Sequence, residues 1–203
     1  LYAVDLLLKK RHGKLSEAIS PSINVIDFNV RSMRFTFKKL VQYIDREKPH
    51  ALISALELPN IISILSTKIT RHHPEVIISI HGLISKQKPI YNKLFDKLLL
   101  SAIYPNADNI VTVSQTCARD AINYLRLPQQ KVKVIYNPII NDYLHQKTRE
   151  PVQADWFSDR TKKTILTIGR LEAVKDHKTL LKAFQVINTK VNAQLIILGE
   201  GSL

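Results

Sequence analysis

The chain has 203 residues, of which 45% are hydrophobic and 23% are charged, the balance of an ordinary globular protein. Its 30 lysines and arginines exceed its 17 aspartates and glutamates, so the formal net charge is +13. The single cysteine excludes an internal disulfide and a cysteine-based metal cage, and no apolar stretch reaches the ~20 residues that a membrane-spanning helix needs.

Short apolar runs recur along the chain and predict β-strands. In chain order they lie at 23–28, 51–56, 76–81, 110–114, 132–136, 164–168 and 194–198. Most are continuous in Ile, Val and Leu instead of alternating with polar residues. Such runs indicate strands buried on both faces, as in a parallel sheet covered by helices.

The segments between these runs carry the period of amphipathic helices. In the first of them, apolar residues recur at i, i+3, i+4 and i+7, at Phe37, Leu40, Val41 and Ile44. Ser114 and Asp176 stand where the N-caps of two later helices are expected. Strand alternating with helix predicts an α/β protein with right-handed crossovers, built from doubly wound, Rossmann-like sheets.

A polar stretch with one proline divides the chain. We predict a first domain at 1–143, a linker at 144–163 and the start of a second domain at 164–203. The second part is too short for a complete core. The chain opens without a methionine and ends directly after an apolar run, so we expect it to be a piece of a longer protein.

The basic balance predicts an anionic partner: a membrane surface, a phosphorylated ligand or nucleic acid. The cations are scattered along the sequence, which ranks nucleic acid below the other two. A surface made basic for solubility alone is the alternative.

One stretch combines a strand end with two cations, ILTIGRLEAVKDHKTLLKAF at 165–184. Ligands of open α/β sheets bind beyond the carboxyl ends of strands. There Gly169 permits a tight turn, Arg170 offers a planar fork of donors for phosphate, and Lys175 adds a compact charge. The N-terminus of the next helix points at the same space. The combination suits a diphosphate. Two surface cations on a loop, without a ligand, are the alternative.

The same stretch, followed by AQLIILGEGSL, resembles the opening of the donor domain of family-four glycosyltransferases, which have the GT-B fold. NIVTVSQTCARDAINYLRLPQQKVKVIYNPI resembles the end of their acceptor domain, and RSMRFTFKKLVQYIDREKPHALIS and VIISIHG fit its middle. The resemblance runs from about residue 25 to 203. It is specific in the donor part and looser before it.

The resemblance implies roles for the residues of the donor motif. Arg170 and Lys175 would hold the diphosphate of a nucleotide sugar, and Gly169 would shape the turn. Gly199, Glu200 and Gly201 resemble the glycine loop beside the nucleotide, with Ser202 where the family commonly has proline. For these glycines a plain turn is the alternative.

The resemblance also assigns residues on the acceptor side. His81 ends the run VIISIH, where a histidine of the family often contacts the donor sugar, and it is our catalytic candidate; a structural histidine is the alternative. Ser114 and Asn137 are placed at the cleft, although a cap and a turn explain them as well. Glu57 follows a strand and could face the acceptor or simply begin a helix.

The function implied is transfer of a sugar from a nucleotide diphosphate sugar to a glycan or lipid-linked acceptor, as in polysaccharide biosynthesis, with retention at the anomeric carbon. No cofactor is expected. The chain contains no Asp-x-Asp pair, which agrees with a metal-independent enzyme. The charge favours a cytoplasmic protein placed peripherally on the inner face of the membrane.

Two other functions stay open: a nucleotide-sugar epimerase of the same fold, and a non-catalytic basic module for acidic lipid or nucleic acid. The family's acidic motif would lie beyond Leu203 and its glycine-bearing first strand before Leu1. We therefore expect this chain by itself to be inactive.

Overall fold

The structure of the chain, a computed structural model, describes residues 2–12, 17–87, 92–152, 154 and 161–203. Contacts divide the chain into two compact units, Leu1–Ile139 and Ile140–Leu203. The polar linker predicted at 144–163 thus falls in the second unit, and its residues 153 and 155–160 lie outside the described residues. A short helix, α5 (Asp142–Lys147), overlaps its start and was not predicted, because it lacks an apolar stripe.

Two parallel sheets form the first unit. One pairs β1 (Asp5–Leu8) with β2 (Asn24–Asp27). The other has the order β3 (Ala51–Ala55), β4 (Glu75–Ile80), β5 (Asn109–Thr112) and β6 (Val132–Val134). β1 was not predicted, because its apolar run is short and is followed at once by cations.

Four long helices accompany these strands in chain order. They are α1 (Thr36–Glu47), α2 (Glu57–Thr67), α3 (Lys93–Ile103) and α4 (Gln115–Leu125). Ser114 caps α4 as predicted, since its side chain accepts a hydrogen bond from the backbone N–H of Cys117 at 3.1 Å. The low glycine content has a local consequence: α1 and α4 end at Lys48 and Arg126, both in the left-handed conformation that usually favours glycine.

Two hydrophobic clusters hold the first unit together. The larger lies between the four-stranded sheet and α2, α3 and α4, where Ile64, Ile78, Ile110 and Leu125 are at most 1% exposed. The smaller joins α1 to β1, β2 and β3. Burying each such side chain stabilises the fold by about 1.5–3 kcal/mol. Among the described residues, the buried hydrophobic side chains lie in this unit, with the exception of Ala193.

The second unit contains β7 (Lys163–Ile168), α6 (His177–Asn188) and β8 (Ala193–Leu198). β7 and β8 pair in parallel from Lys163 opposite Ala193 to Ile168 opposite Leu198, in a sheet separate from those of the first unit. Burial on both faces, predicted from the apolar run, is wrong for β7: Ile168 is 74% exposed. In the described part of this unit, α6 packs against β8.

Every strand pairing between the described residues is parallel, and from β2 onward strands alternate with helices. The predicted α/β class with Rossmann-like parallel sheets is therefore confirmed. No helix in the described part of the chain is both long enough and apolar enough to cross a membrane.

Candidate functional site

The two strand ends of the second unit lie side by side. Beyond β7 and β8 the backbone pairing continues: the N–H of Gly169 donates to the Leu198 carbonyl at 2.9 Å, and the N–H of Leu171 donates to the Glu200 carbonyl at 3.0 Å. Leu171 also forms a parallel bridge with Gly201. The structure thus brings together the two segments that the sequence analysis assigned to the donor, 169–171 and 199–201.

Both glycines of the second segment are required by the closeness of this approach. Gly199 has φ +155°, and a Cβ atom there would lie 1.9 Å from the carbonyl oxygen of Gly169. A Cβ atom on Gly201 would lie 2.1 Å from the carbonyl oxygen of Leu171. Neither position can carry a side chain unless the two loops separate, so their glycines have a packing reason beyond an ordinary turn.

The predicted cations lie on the first segment and just after it. The Arg170 side chain is 74% exposed, and its Nη1 lies 2.8 Å from Oε1 of Glu172. Lys175 ends a short 3₁₀ turn, and its stem passes over Gly169: a Cβ atom on that glycine would be 3.5 Å from the Lys175 Cε. Arg170 is therefore paired with a carboxylate, which competes with a phosphate for its donors.

His177, the first residue of α6, was missed as a member of this loop system. Its Nε2 lies 3.1 Å from the Arg170 carbonyl oxygen. A carbonyl can only accept, so Nε2 carries the proton. Its Nδ1 is buried and hydrogen-bonds to no described residue. This contact fastens the main chain of Arg170 to the start of α6, and no sequence pattern revealed it.

The N-terminus of α6 is less available to a ligand than the sequence suggests. Asp176 caps the helix as predicted, and its Oδ1 accepts from the N–H of Thr179 at 3.4 Å. The carboxylate satisfies one of the free N–H groups and offsets the positive end of the helix dipole. Of the features that the sequence analysis assigned to a diphosphate, Arg170 and Lys175 consequently stay the main candidates.

In the first unit, His81 and Glu57 line one cavity at the carboxyl ends of β3 and β4. Ser79 Oγ lies 3.0 Å from Nε2 of the exposed His81. Burial raises the pKa of Glu57 above its ordinary value, and the negative charge of Asp96 adds to the shift. The two side chains assigned separately from sequence thus share a partly desolvated pocket, whose walls carry both polar and aliphatic side chains.

Asn60 organises the floor of this cavity and was also missed. It is 1% exposed; its Oδ1 accepts from Ser54 Oγ at 2.8 Å, and its Nδ2 donates to the Ser79 carbonyl at 3.1 Å. The amide joins the ends of β3 and β4. Tyr104, also in the cavity wall, has its pKa raised to about 12 because it is buried.

The remaining predicted residues lie elsewhere in the first unit. The Ser114 oxygen is used in capping α4. Asn137 lies in the exposed segment after β6, and its carbonyl accepts from the N–H of Ile139 at 2.9 Å. Cleft roles for both stay predictions. No group of three or more His, Cys, Asp or Glu in the described ranges is arranged to hold a metal ion, and a reaction without metal or cofactor also stays a prediction.

Two family models match the chain in succession. The model described as Glycosyltransferase Family 4 matches residues 2–142. The model described as Glycosyl transferases group 1 matches residues 148–203. A curated relative from Campylobacter jejuni, N-acetylgalactosamine-N,N'-diacetylbacillosaminyl-diphospho-undecaprenol 4-alpha-N-acetylgalactosaminyltransferase, is 34% identical over 113 residues, which are 56% of this chain and 29% of that protein.

Solved structures share the fold. Anabaena HepE in complex with UDP-glucose matches with a TM-score of 0.69 at 15% identity, over 97% of this chain and 52% of HepE. A glycosyltransferase from Rickettsia africae matches with a TM-score of 0.68 at 17% identity, over 98% of this chain and 52% of the other. This chain thus spans about half the length of these structures, and the fold in common is GT-B.

Proposed function

The chain belongs to glycosyltransferase family 4, and from that premise we propose that the whole protein transfers a sugar from a nucleotide diphosphate sugar to a glycan or lipid-linked acceptor. The second unit supplies the donor-binding loops, and the first unit supplies residues for the acceptor and the sugar. The observation that carries the proposal is the joining of the segments 169–171 and 199–201 by two backbone hydrogen bonds.

These loops suit the leaving group of such a transfer. The bond between the anomeric carbon and the diphosphate oxygen breaks, and its electron pair stays on that oxygen. Arg170 gives up Glu172 and binds the diphosphate through its planar fork, while Lys175 adds a second positive charge. Cations fixed where negative charge develops lower the barrier more than cations that must reorganise during the reaction. The contact from His177 to the Arg170 carbonyl holds the main chain from which the guanidinium reaches the ligand.

The acceptor contributes a hydroxyl, whose oxygen bonds to the anomeric carbon and whose proton passes to the departing diphosphate oxygen. Retention of configuration at that carbon and independence from a metal ion are parts of the proposal. His81 is assigned to a hydroxyl of the donor sugar and Glu57 to the acceptor. The cavity that these two residues share has both polar and aliphatic side chains in its walls and a carboxyl whose pKa is raised by burial, which favours hydroxyl binding over phosphate binding.

A lipid-linked acceptor is the substrate class that we favour. The Campylobacter relative is named for a diphospho-undecaprenol substrate, and the present chain has a net charge of +13. A basic protein is attracted to the anionic inner face of a membrane, where lipid-linked glycans could be extended. We accordingly propose that the protein works at the cytoplasmic face of the membrane, held there peripherally.

The test uses the full-length protein with a panel of nucleotide diphosphate sugars and polyprenyl-diphosphate-linked glycans, in the presence of a metal chelator. We expect glycan extension by one sugar that depends on the acceptor, with the donor's anomeric configuration kept in the product by NMR. If the donor sugar is epimerised in the absence of any acceptor, the protein is an epimerase and not a transferase. Transfer that disappears with the chelator and returns with a metal would overturn metal independence alone.

A further inference from the structure

Cations that are scattered along the sequence lie together at the carboxyl edge of the β1–β2 pair. One group follows β1 and the other follows β2. We call the set the cationic edge; it consists of Lys9, Lys10, Arg11, Arg31, Arg34 and Lys38. All six residues are exposed.

Backbone pairing holds the two groups next to each other. Beyond the strands, the N–H of Phe28 donates to the Leu8 carbonyl at 2.9 Å, and the N–H of Val30 donates to the Lys9 carbonyl at 3.0 Å. The segment that begins at Lys9 therefore runs beside the segment that leads to Arg31. The cationic edge is a feature of the sheet, because parallel strands bring their carboxyl ends to one side.

Little negative charge opposes the cationic edge. Asp27 is the one carboxylate in the sequence from 24 to 44. It accepts from the N–H of Asn29 at 2.8 Å, and backbone hydrogen bonds from Arg11 and Asn29 hold its pKa below the ordinary value, with Lys10 and Lys39 adding to the shift. None of the six cations forms an ion pair with a carboxylate in the described ranges.

An aromatic side chain lies within this edge. Phe35 is 51% exposed, and the Arg34 guanidinium carbon lies 4.9 Å from the centre of its ring. An exposed aromatic ring among cations is the composition of a surface that rests on lipid headgroups, with the ring at the apolar boundary and the cations at the phosphates. Nucleic acid binding would need the same cations but gives no reason for an apolar ring beside them, except stacking.

We propose that the cationic edge is the face by which the protein docks on an anionic phospholipid surface, with Phe35 entering the headgroup layer. This docking face rests on the proposed function in one respect: the protein would bind its lipid-linked acceptor at the same membrane surface. Binding to vesicles needs neither donor nor transfer, so it can be measured independently of catalysis.

The test compares binding of the full-length protein to phosphatidylglycerol–phosphatidylcholine vesicles and to phosphatidylcholine vesicles. The variant carries Lys9→Gln, Arg31→Gln and Lys38→Gln, three side chains without a hydrogen bond or ion pair to another described residue. The control carries Lys68→Gln, Lys182→Gln and Lys190→Gln, which remove the same charge from exposed positions elsewhere. Melting curves of both proteins check that they fold.

We expect the edge variant to bind anionic vesicles roughly 100-fold more weakly, about fivefold per cation. The affinity of the control for anionic vesicles should fall less than about fivefold, because salt screens charges that lie far from the membrane. Phe35→Ser should weaken binding at high salt, where the apolar contribution remains.

Equal losses in the two triple variants would overturn the assignment to this edge, since net charge alone would then explain binding. Equal binding of the wild type to both kinds of vesicle would overturn the assignment to a lipid surface. If the edge variant then lost RNA binding while the control kept it, the edge would be assigned to nucleic acid. Arg170→Ala separates the two proposals: transfer should fall while vesicle binding stays unchanged.

Discussion

A Cβ atom on Gly199 would lie 1.9 Å from the carbonyl oxygen of Gly169. The two donor loops of the second unit therefore lie in contact through their backbones, with no room for a methyl group. Two residues that are thirty positions apart in sequence are thus fixed against each other at the ends of β7 and β8, and Arg170 is the next residue along.

Gly199→Ala should consequently separate these loops. The substitution places a methyl group on a carbonyl oxygen and also strains a backbone at φ +155°, where the conformational strain alone costs about 1–3 kcal/mol. We expect the free energy of unfolding to fall by at least about 2 kcal/mol, together with weaker binding of nucleoside diphosphate. Chemical denaturation and calorimetric titration measure the two effects.

Gly82→Ala is the matched control, because a Cβ atom there would meet only Nε2 of Gln87 at an ordinary 3.6 Å. It should change the unfolding free energy by less than about 0.5 kcal/mol. A Gly199→Ala protein as stable as this control would show that the loops are not held as close as described.

Glu57→Gln should remove part of the pH dependence of stability. Because burial and Asp96 raise the folded-state pKa of Glu57, the folded protein binds a proton more tightly than the unfolded chain does. Wild-type stability is therefore reduced as pH rises from the ordinary value of 4.5 through the raised pKa. The glutamine stays neutral, so the unfolding free energy of the variant should rise relative to that of wild type across that pH interval.

The measurement is the difference in unfolding free energy between Glu57→Gln and wild type at a series of pH values. The difference should favour the variant at neutral pH and shrink toward acid pH. Glu47→Gln, which removes an exposed carboxylate paired with Arg46, controls for the loss of one negative charge. A difference that is flat with pH, or larger in acid, would contradict a raised pKa.

The alternation of strands and helices, the parallel pairing and the separate sheet of the second unit were predictable, because long apolar runs and helical periods record burial. β1 was not, since a short strand leaves only a short run. Asn60 and His177 were missed for a different reason. Each acts by bonding to a backbone carbonyl distant in sequence, of Ser79 and Arg170 respectively, and such contacts leave no periodic trace.

The same limit applies to charge. The sequence indicates that Arg170 is a phosphate-binding candidate but not that Glu172 occupies it at 2.8 Å. The cationic edge likewise forms only when β1 and β2 pair, because nineteen residues, β2 among them, separate its two groups in the sequence.

Glu172→Gln should strengthen binding of a nucleoside diphosphate. It removes the carboxylate that competes for Arg170 while keeping the shape of the side chain. Exposed ion pairs are worth about 0.2–1 kcal/mol, so the gain in affinity should be between about 1.5-fold and fivefold. Titration calorimetry of wild type and variant at one ionic strength measures it, and the gain should shrink in high salt.

Lys147–Glu150 is an exposed ion pair in the same unit with a separation of 2.8 Å. Glu150→Gln should leave affinity unchanged and so controls for the loss of one negative charge. Weaker binding by Glu172→Gln than by Glu150→Gln would mean that the carboxylate orients Arg170 for the ligand instead of competing with it.

The central claim is that Arg170 and Lys175 hold the diphosphate of the donor. The most direct measurement is the rate of sugar transfer by the full-length protein. The variants are Arg170→Ala, Arg170→Lys and Lys175→Ala, with Lys190→Ala as an exposed control. We predict that Arg170→Ala lowers turnover by about 100-fold or more, the effect of losing one preorganised donor. Arg170→Lys should restore only part, because an ammonium lacks the planar fork, and Lys175→Ala should weaken both turnover and diphosphate affinity while Lys190→Ala does neither. Two folded alanine variants at 170 and 175 that bind and react like wild type would contradict the account.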